Sequence, residues 1–211
     1  MTTDPLDPNS TDSRSTRERI LDAAELVFAD KGLGAAPVRD IAAGVGLNPA
    51  SLYNHFAGKE ELYEAVLERG LKPLLEMLTE LSAGVRTKDR EEMAIDRVVR
   101  HFADHPSLAK LIHYETLAGG EHLGKIASRW AQPVYQRGID VLRESRAAEV
   151  WPAEELPLLV LAFQNLIVGY FAMAPLVQLV FGVDPLSEEG LSRQMKFLHK
   201  VSHLLIPPRD D

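Results

Sequence analysis

Apolar residues recur three and four positions apart along most of this chain, the spacing of amphipathic helices. Ile20, Ala24, Val27 and Phe28 form the first stripe. Ser15 with Glu18 makes a capping box that opens it, and Gly32 is expected to close it at a left-handed position. After a connector at 34–37, Val38, Ile41, Ala42 and Val45 form a second stripe. Gly44 and Gly46 let the backbone turn where a side chain would clash. Asn48 then caps a third helix, with Pro49 at its first position and an end near Phe56. Leu52 and Phe56 are four apart and pack inward, which leaves Ala50, Ser51, Tyr53, Asn54 and His55 outside. A fourth helix is predicted from Lys59 to about Ser82, with Tyr63, Val66, Leu67, Gly70, Leu74, Leu78 and Leu81 on a broad face and a kink at Pro73.

The pattern continues without a break in kind. A fifth helix, about Asp89 to Asp104, turns Ile95, Val98, Val99 and Phe102 inward. Pro106 opens a sixth, with Leu108, Leu111, Ile112 and Glu115 on one side, ended by Gly119 and Gly120. A seventh, about His122 to Ala147, carries Leu123, Ile126, Trp130 and Val134, with a bend at Pro133. An eighth is predicted as one long apolar helix from about Ala153 to Phe181. A ninth, about Ser187 to Ile206, carries Leu191, Met195, Leu198, Ser202 and Leu205, and Phe197, Val201 and Leu204 widen its stripe. No strand alternation and no repeat occurs, so the fold is expected to be all-α with about nine helices. Residues 1–13 hold three Asp and two Pro with almost no large apolar side chain, the composition of a disordered tail. Residues 14–58 read as a small three-helix domain, 59–206 as a larger helical domain, and 207–211 as a second tail.

The second and third helices, joined at Gly44–Gly46, have the form of a helix-turn-helix whose second helix can enter a DNA major groove. The run Leu52-Tyr53-Asn54-His55-Phe56-Ala57-Gly58-Lys59-Glu60-Glu61-Leu62 resembles the signature of the tetracycline-repressor (TetR) family, and Val38-Arg39-Asp40-Ile41-Ala42 is similar to its second helix. The resemblance extends over roughly Thr16 to Val66. It implies a DNA-binding transcriptional regulator, a repressor with an N-terminal helix-turn-helix domain and a C-terminal domain that dimerises and holds a small effector. Phosphate contacts are implied at Tyr53, His55 and Lys59. Arg39, Asn48, Pro49, Ala50, Ser51 and Asn54 complete the candidate DNA-binding set. Asn54 has the groups to pair with adenine, and Pro49 or Ala50 to touch a thymine methyl. One departure stands out: Pro37 occupies the place where the family usually carries a Thr or Ser that caps the second helix and touches a phosphate, and Pro has neither a capping side chain nor an N–H donor.

Charge and composition then narrow the picture. The chain of 211 residues carries a formal net charge of −8, unusual for a DNA binder. From Arg14 to Lys59, however, six basic residues face five acidic ones, so the surplus acid lies elsewhere and can help orient the reading face. The absence of cysteine excludes disulfides, thiolate metal sites and cysteine nucleophiles, and fits a reducing cytoplasm. The N-terminus has no basic, apolar signal sequence. Leu156 to Val183 is 28 residues without a charge, long enough to span a bilayer of ~30 Å. Gln164, Asn165, Gln178, two prolines and acidic flanks favour a helix buried in protein instead.

His101 and His105 are four apart, as are His199 and His203, a spacing that can share a metal. No carboxylate stands at a telling spacing from them, and neither a metal nor a cofactor is expected. The resemblance implies a ligand pocket among the fifth to eighth helices. Candidates there are Phe102, Leu108, Ile112, His113, Tyr114, Leu117, Trp130, Tyr135, Phe163, Gln164, Asn165 and Leu166. Each fits plain core packing equally well. Few charges lie among them, so the expected effector is a mostly apolar small molecule that releases the repressor from operator DNA. A homodimer is expected on the eighth and ninth helices. The alternative is a helical ligand carrier or an enzyme that no longer binds DNA. No catalytic triad, phosphate-cradling loop or carboxylate pair supports an enzyme.

Overall fold

A computed structural model of the chain describes residues 15–83, 87–119, 124 and 127–206. Both expected tails lie outside the described residues, as do Leu123 and Ile126. Eleven α-helices occur among the described residues: α1 (Thr16–Ala35), α2 (Val38–Gly44), α3 (Pro49–Leu52), α4 (Lys59–Ser82), α5 (Lys88–Asp104), α6 (Pro106–Ala118), α7 (Gln132–Arg143), α8 (Ala147–Val150), α9 (Leu156–Ala172), α10 (Ala174–Phe181) and α11 (Glu188–Leu205).

The predicted caps are in place. Ser15 accepts a hydrogen bond from the Glu18 N–H, and Asn48 accepts one from the Ser51 N–H at 2.8 Å. Gly32 takes φ +69° and breaks the helical path of α1 three residues before its end. Pro37 precedes α2 with no side-chain cap, so that helix start has only backbone to close it.

Three predicted helices differ in the structure, each for a local reason. The third helix ends at Leu52, not near Phe56. Bonds from Asn54 to Ser51 and from His55 to Leu52 tighten the chain into turns, which still swing Phe56 onto the same side as Leu52. The seventh is not continuous to Ala147. A π-helical turn, Ala127–Ala131, leads into α7, where Pro133 is tolerated because it sits in the first turn. α7 stops at Arg143. The Ser145 hydroxyl there donates to the Leu142 carbonyl and accepts from the Ala147 N–H, a local alternative to helix bonding. The eighth is two helices, α9 and α10, meeting at a 64° bend around Met173. Pro175 lacks the N–H that would continue α9 and disfavours helical geometry in the residue before it. No single described helix is long and apolar enough to cross a membrane; only the bent pair together has that length and composition.

The core runs as one body from Ile20 to Leu198, joining α1–α6 to α9 and α11, and a smaller cluster forms around Leu142, Ala147, Leu156 and Leu159. The junction between α1, α4 and α6 is close. A Cβ on Gly70 would lie 2.5 Å from Leu108 Cδ1, and one on Gly32 would enter the Tyr114 ring. Arg69 of α4 reaches Asp22 and Glu25 of α1, each at 2.7 Å, and the His105 ring stands 3.5 Å from Glu25. Burial pushes the Glu25 carboxyl up, but His105 and Arg69 outweigh it and hold its pKa below the ordinary value. His101 Nε2 donates to the Gly70 carbonyl at 2.7 Å, and burial lowers the pKa of its ring. α11 is tied to α5 by His199 on Asp96 at 2.8 Å and His203 on Glu92 at 3.1 Å.

Candidate functional site

The helix-turn-helix is built on Ile41, Ala42, Val45, Leu52 and Phe56, all buried against α1 and the start of α4. Arg19 of α1 donates to the Val45 carbonyl and pins the end of α2, while the Arg17 guanidinium lies 4.8 Å from the Phe56 ring centre. With the apolar side chains turned in, Asn48, Pro49, Ala50, Tyr53, Asn54 and His55 are exposed on one surface, and Ser51 is partly so. The Asn48 side-chain oxygen is already used as a cap. Arg39, in the first turn of α2, has a side chain 82% exposed beside Asp40, whose second oxygen takes Lys31 at 2.8 Å. Hydrogen bonding to Lys31 holds the Asp40 carboxyl below its ordinary range.

Lys59 is placed differently from a free surface cation. Its ammonium donates to the Gly34 carbonyl at 3.1 Å and the Ala36 carbonyl at 3.4 Å, tying the end of α1 and the residue after it to the start of α4. An ammonium has three donors, so one remains for a phosphate. The Glu61 carboxylate folds back onto the Ala57 N–H and fills part of the anion-attracting end of α4.

Behind the head a cavity of about 340 Å³ lies between α4, α5, α6, α7, α9 and α11. Leu67, Leu71, Leu74, Leu78 and Leu81 give it a wall from α4, the helix that begins at the reading turn. Of the sequence candidates, Phe102, Ile112, Tyr135, Phe163 and Gln164 line it. The others lie elsewhere. Leu108 is buried against Gly70. Tyr114 packs over Gly32, and Leu117 is 82% exposed. His113 is partly buried outside the lining, and Trp130 packs on the core beside Arg129. Leu166 offers its carbonyl to Gln194, and Asn165 donates to its own helix at Leu161. Sequence reasoning missed Glu115 as a cavity residue, although its place among Leu108, Leu111 and Ile112 put a carboxylate on an apolar stripe. Among the described residues no group of three or more His, Asp or Glu is arranged to hold a metal ion.

The sequence pattern of bacterial regulatory proteins of the tetR family matches residues 20–66, the stretch that builds this head. The repressor SCO4008 of Streptomyces coelicolor is 31% identical over 159 residues, 73% of this chain and 79% of that protein. The chain belongs to the TetR family of transcriptional regulators, a family of DNA-binding repressors and not of enzymes. The repressor KstR2 of Mycobacterium tuberculosis is 49% identical, but only over 53 residues, 25% of this chain and 26% of that one. Two solved structures share the fold: KstR2, described as a ketosteroid transcriptional regulator (TM-score 0.66, 22% identity, 89% of this chain and 93% of that one), and the fatty acid degradation regulator FadR of Bacillus halodurans (TM-score 0.65, 16% identity, 93% and 99%).

Proposed function

We propose that this repressor binds its operator through Arg39, the α3 surface from Asn48 to His55, and Lys59, and is released by a mostly apolar small molecule held in the cavity. In this reading the head comprises residues 14–58 and the body 59–206. The observation that carries the effector reading is the α4 wall of the cavity. A ligand there touches the helix whose first turn sets the position of the reading surface, so a change in its tilt reaches the head directly. Gly70, against Leu108, and Pro73 are where that change is expected. Ligand binding shifts the repressor only if the molecule prefers a body shape whose heads do not fit DNA. A coupling of roughly 1–3 kcal/mol changes operator affinity some 5- to 150-fold. Two structurally similar proteins are described by ketosteroids and fatty acid degradation, which agrees with an apolar effector.

The body is also read as the dimerisation unit. α11 buries Leu191, Met195 and Leu198 within its own chain but leaves Phe197 and Leu204 48% and 82% exposed. Leu158 and Leu161 of α9 are exposed as well. A two-fold pairing of α9 and α11 with a second copy covers these side chains and sets two α3 helices about 34–36 Å apart or slightly more, the spacing of successive major grooves.

The test is selection of operator sequences from random DNA, followed by a thermal-shift screen of hydrophobic compounds. Hits must weaken operator binding, and operator must weaken the hits by the same factor. Tight hits with no effect on operator affinity contradict the effector reading.

A further inference from the structure

Seven polar side chains, Glu91, Glu115, Thr116, Tyr135, Ser145, Gln164 and Ser202, interrupt the apolar lining of the cavity, and none of them is a cation. Glu115 lines it at 6% residue exposure, and no cation among the described residues pairs with its carboxylate. The Tyr63 hydroxyl of α4 faces the carboxylate, and burial together with that carboxylate raises the pKa of the phenol. Gln164 lines the same cavity, and its Oε1 is buried with no donor. A carboxylate in an apolar wall with no cation to pair with is costly, and so is a buried amide oxygen without a donor. Apart from these seven side chains the wall is leucine, valine, isoleucine, alanine, phenylalanine and Gly138.

We propose that the effector is a lipophilic amine, an apolar body carrying one protonated nitrogen that pairs with Glu115 and donates to Gln164 Oε1. This rests on the reading of the cavity as the effector site, and makes it specific. The chemistry selects against the obvious rival. An apolar carboxylate brings a second negative charge beside Glu115 and no donor for Gln164, whereas a neutral alcohol satisfies one acceptor and leaves the charge unpaired. The site also has a short route to the head. Glu115 adjoins Tyr114, whose ring covers Gly32 of α1, and faces Tyr63, whose ring meets Phe28 edge-on at 5.0 Å. A cation drawn to Glu115 therefore acts at the contact between α6, α4 and α1.

The experiment is calorimetric titration of the full chain at pH 7 with decylamine, 1-decanol and decanoate, all below micellar concentration. These probes share a ten-carbon body and differ in the head group alone. The amine is expected to bind about tenfold or more tighter than the alcohol, with decanoate weakest. Glu115→Gln keeps the shape and removes the charge, and should cost the amine about tenfold while leaving the alcohol within a few-fold. Its thermal melt and operator binding establish that it folds. Should it fail to fold, Gln164→Leu and the wild-type ranking decide. Gln164→Leu should weaken amine and alcohol by a similar few-fold factor. Decanoate binding as tightly as the amine, or an unchanged amine-to-alcohol ratio in folded Glu115→Gln, overturns the proposal and leaves the cavity as an effector site. No binding by any of the three overturns both.

Discussion

Around Phe28 the chain is packed shut: Ile20, Ala24, Ile41, Ala42, Leu52 and Leu62 are all 0% exposed. On the far side of α4, a body richer in leucine and valine leaves a cavity between its helices, and α10 and α11 leave Leu179 and Leu204 83% and 82% exposed. The same packing rules act in both regions, so the difference lies in what each region is completed by. Among its described residues the head leaves only Leu26 and Tyr53 exposed of its large apolar side chains, and the α3 surface is otherwise polar or small. The body has apolar surface left over inside and outside, which in our reading a ligand and a second copy take up.

The largest effect should come from opening the packed side. Phe28→Ala removes a ring at 0% exposure that rests on Tyr63, and should cost about 3–5 kcal/mol. Phe163→Ala, on the cavity wall, already faces empty space on one side and should cost less than about 2 kcal/mol. Urea unfolding of the two variants measures both. Equal losses would mean that the cavity is closed in solution and that the contrast drawn above is false.

Arg69 joins the two regions and should come next. Its side chain is 17% exposed and Glu25's is 9%, so Arg69→Met leaves a buried carboxylate short of one of its two cationic partners, at about 3 kcal/mol. The pH dependence gives the sign. Glu25 has a folded pKa below its ordinary 4.5, so its contribution is full above that value and lost as pH falls through the folded one. Wild type and Arg69→Met should therefore differ most near neutral pH and converge in acid. His101 acts over another range. Its pKa is lowered from 6.5, so below that pH the unfolded chain takes up a proton that the folded ring resists, and stability falls as pH drops. His101→Gln should flatten the profile between about pH 6.5 and 5, and an unchanged profile there would remove His101 as its source.

The unfinished outer surface predicts a smaller, concentration-dependent effect. Leu204→Glu should weaken the dimer about tenfold or more while leaving the protomer's melting at low concentration unchanged. Sedimentation at several concentrations measures it. A wild type that is monomeric at micromolar concentration ends the dimer reading.

Much of the head was legible in sequence because local chemistry determines it. Ser15 and Asn48 cap a helix with their side chains and Pro49 opens one with its ring, while Gly32, lacking a side chain, takes the positive φ expected of it but interrupts α1 three residues before its end instead of closing it. The body was legible in kind but not in detail. The single eighth helix missed the break at Met173, although Pro175 gave the signal, because an unbroken apolar run outweighed one proline. The cavity had no local signature. Leu67, Leu71 and Leu74 make the same stripe whether they face another helix or a void, and only the assembled fold tells which. Glu115 was the exception, a carboxylate on an apolar stripe, and its meaning needed the cavity around it.

The smallest effects concern the reading surface itself, where two cations of different surroundings can be compared. Arg39 is nearly free of the protein, with an 82% exposed side chain, so Arg39→Ala should leave folding stability within about 0.5 kcal/mol. If Arg39 meets a phosphate, the same change lowers the slope of log affinity against log salt by about 0.9 and weakens all DNA sequences alike. Lys59 has two roles to separate, since its ammonium already serves the Gly34 and Ala36 carbonyls. Lys59→Met keeps most of the stem and removes both roles together. It should cost about 1 kcal/mol in stability for the lost bonds to those carbonyls. It should also lower the salt slope by about 0.9 if the remaining donor meets a phosphate. Operator titrations at four salt concentrations, paired with urea unfolding of the same samples, read the two quantities independently. A loss of stability with an unchanged slope would make Lys59 a strut of the head and leave Arg39 and Tyr53 as the phosphate contacts.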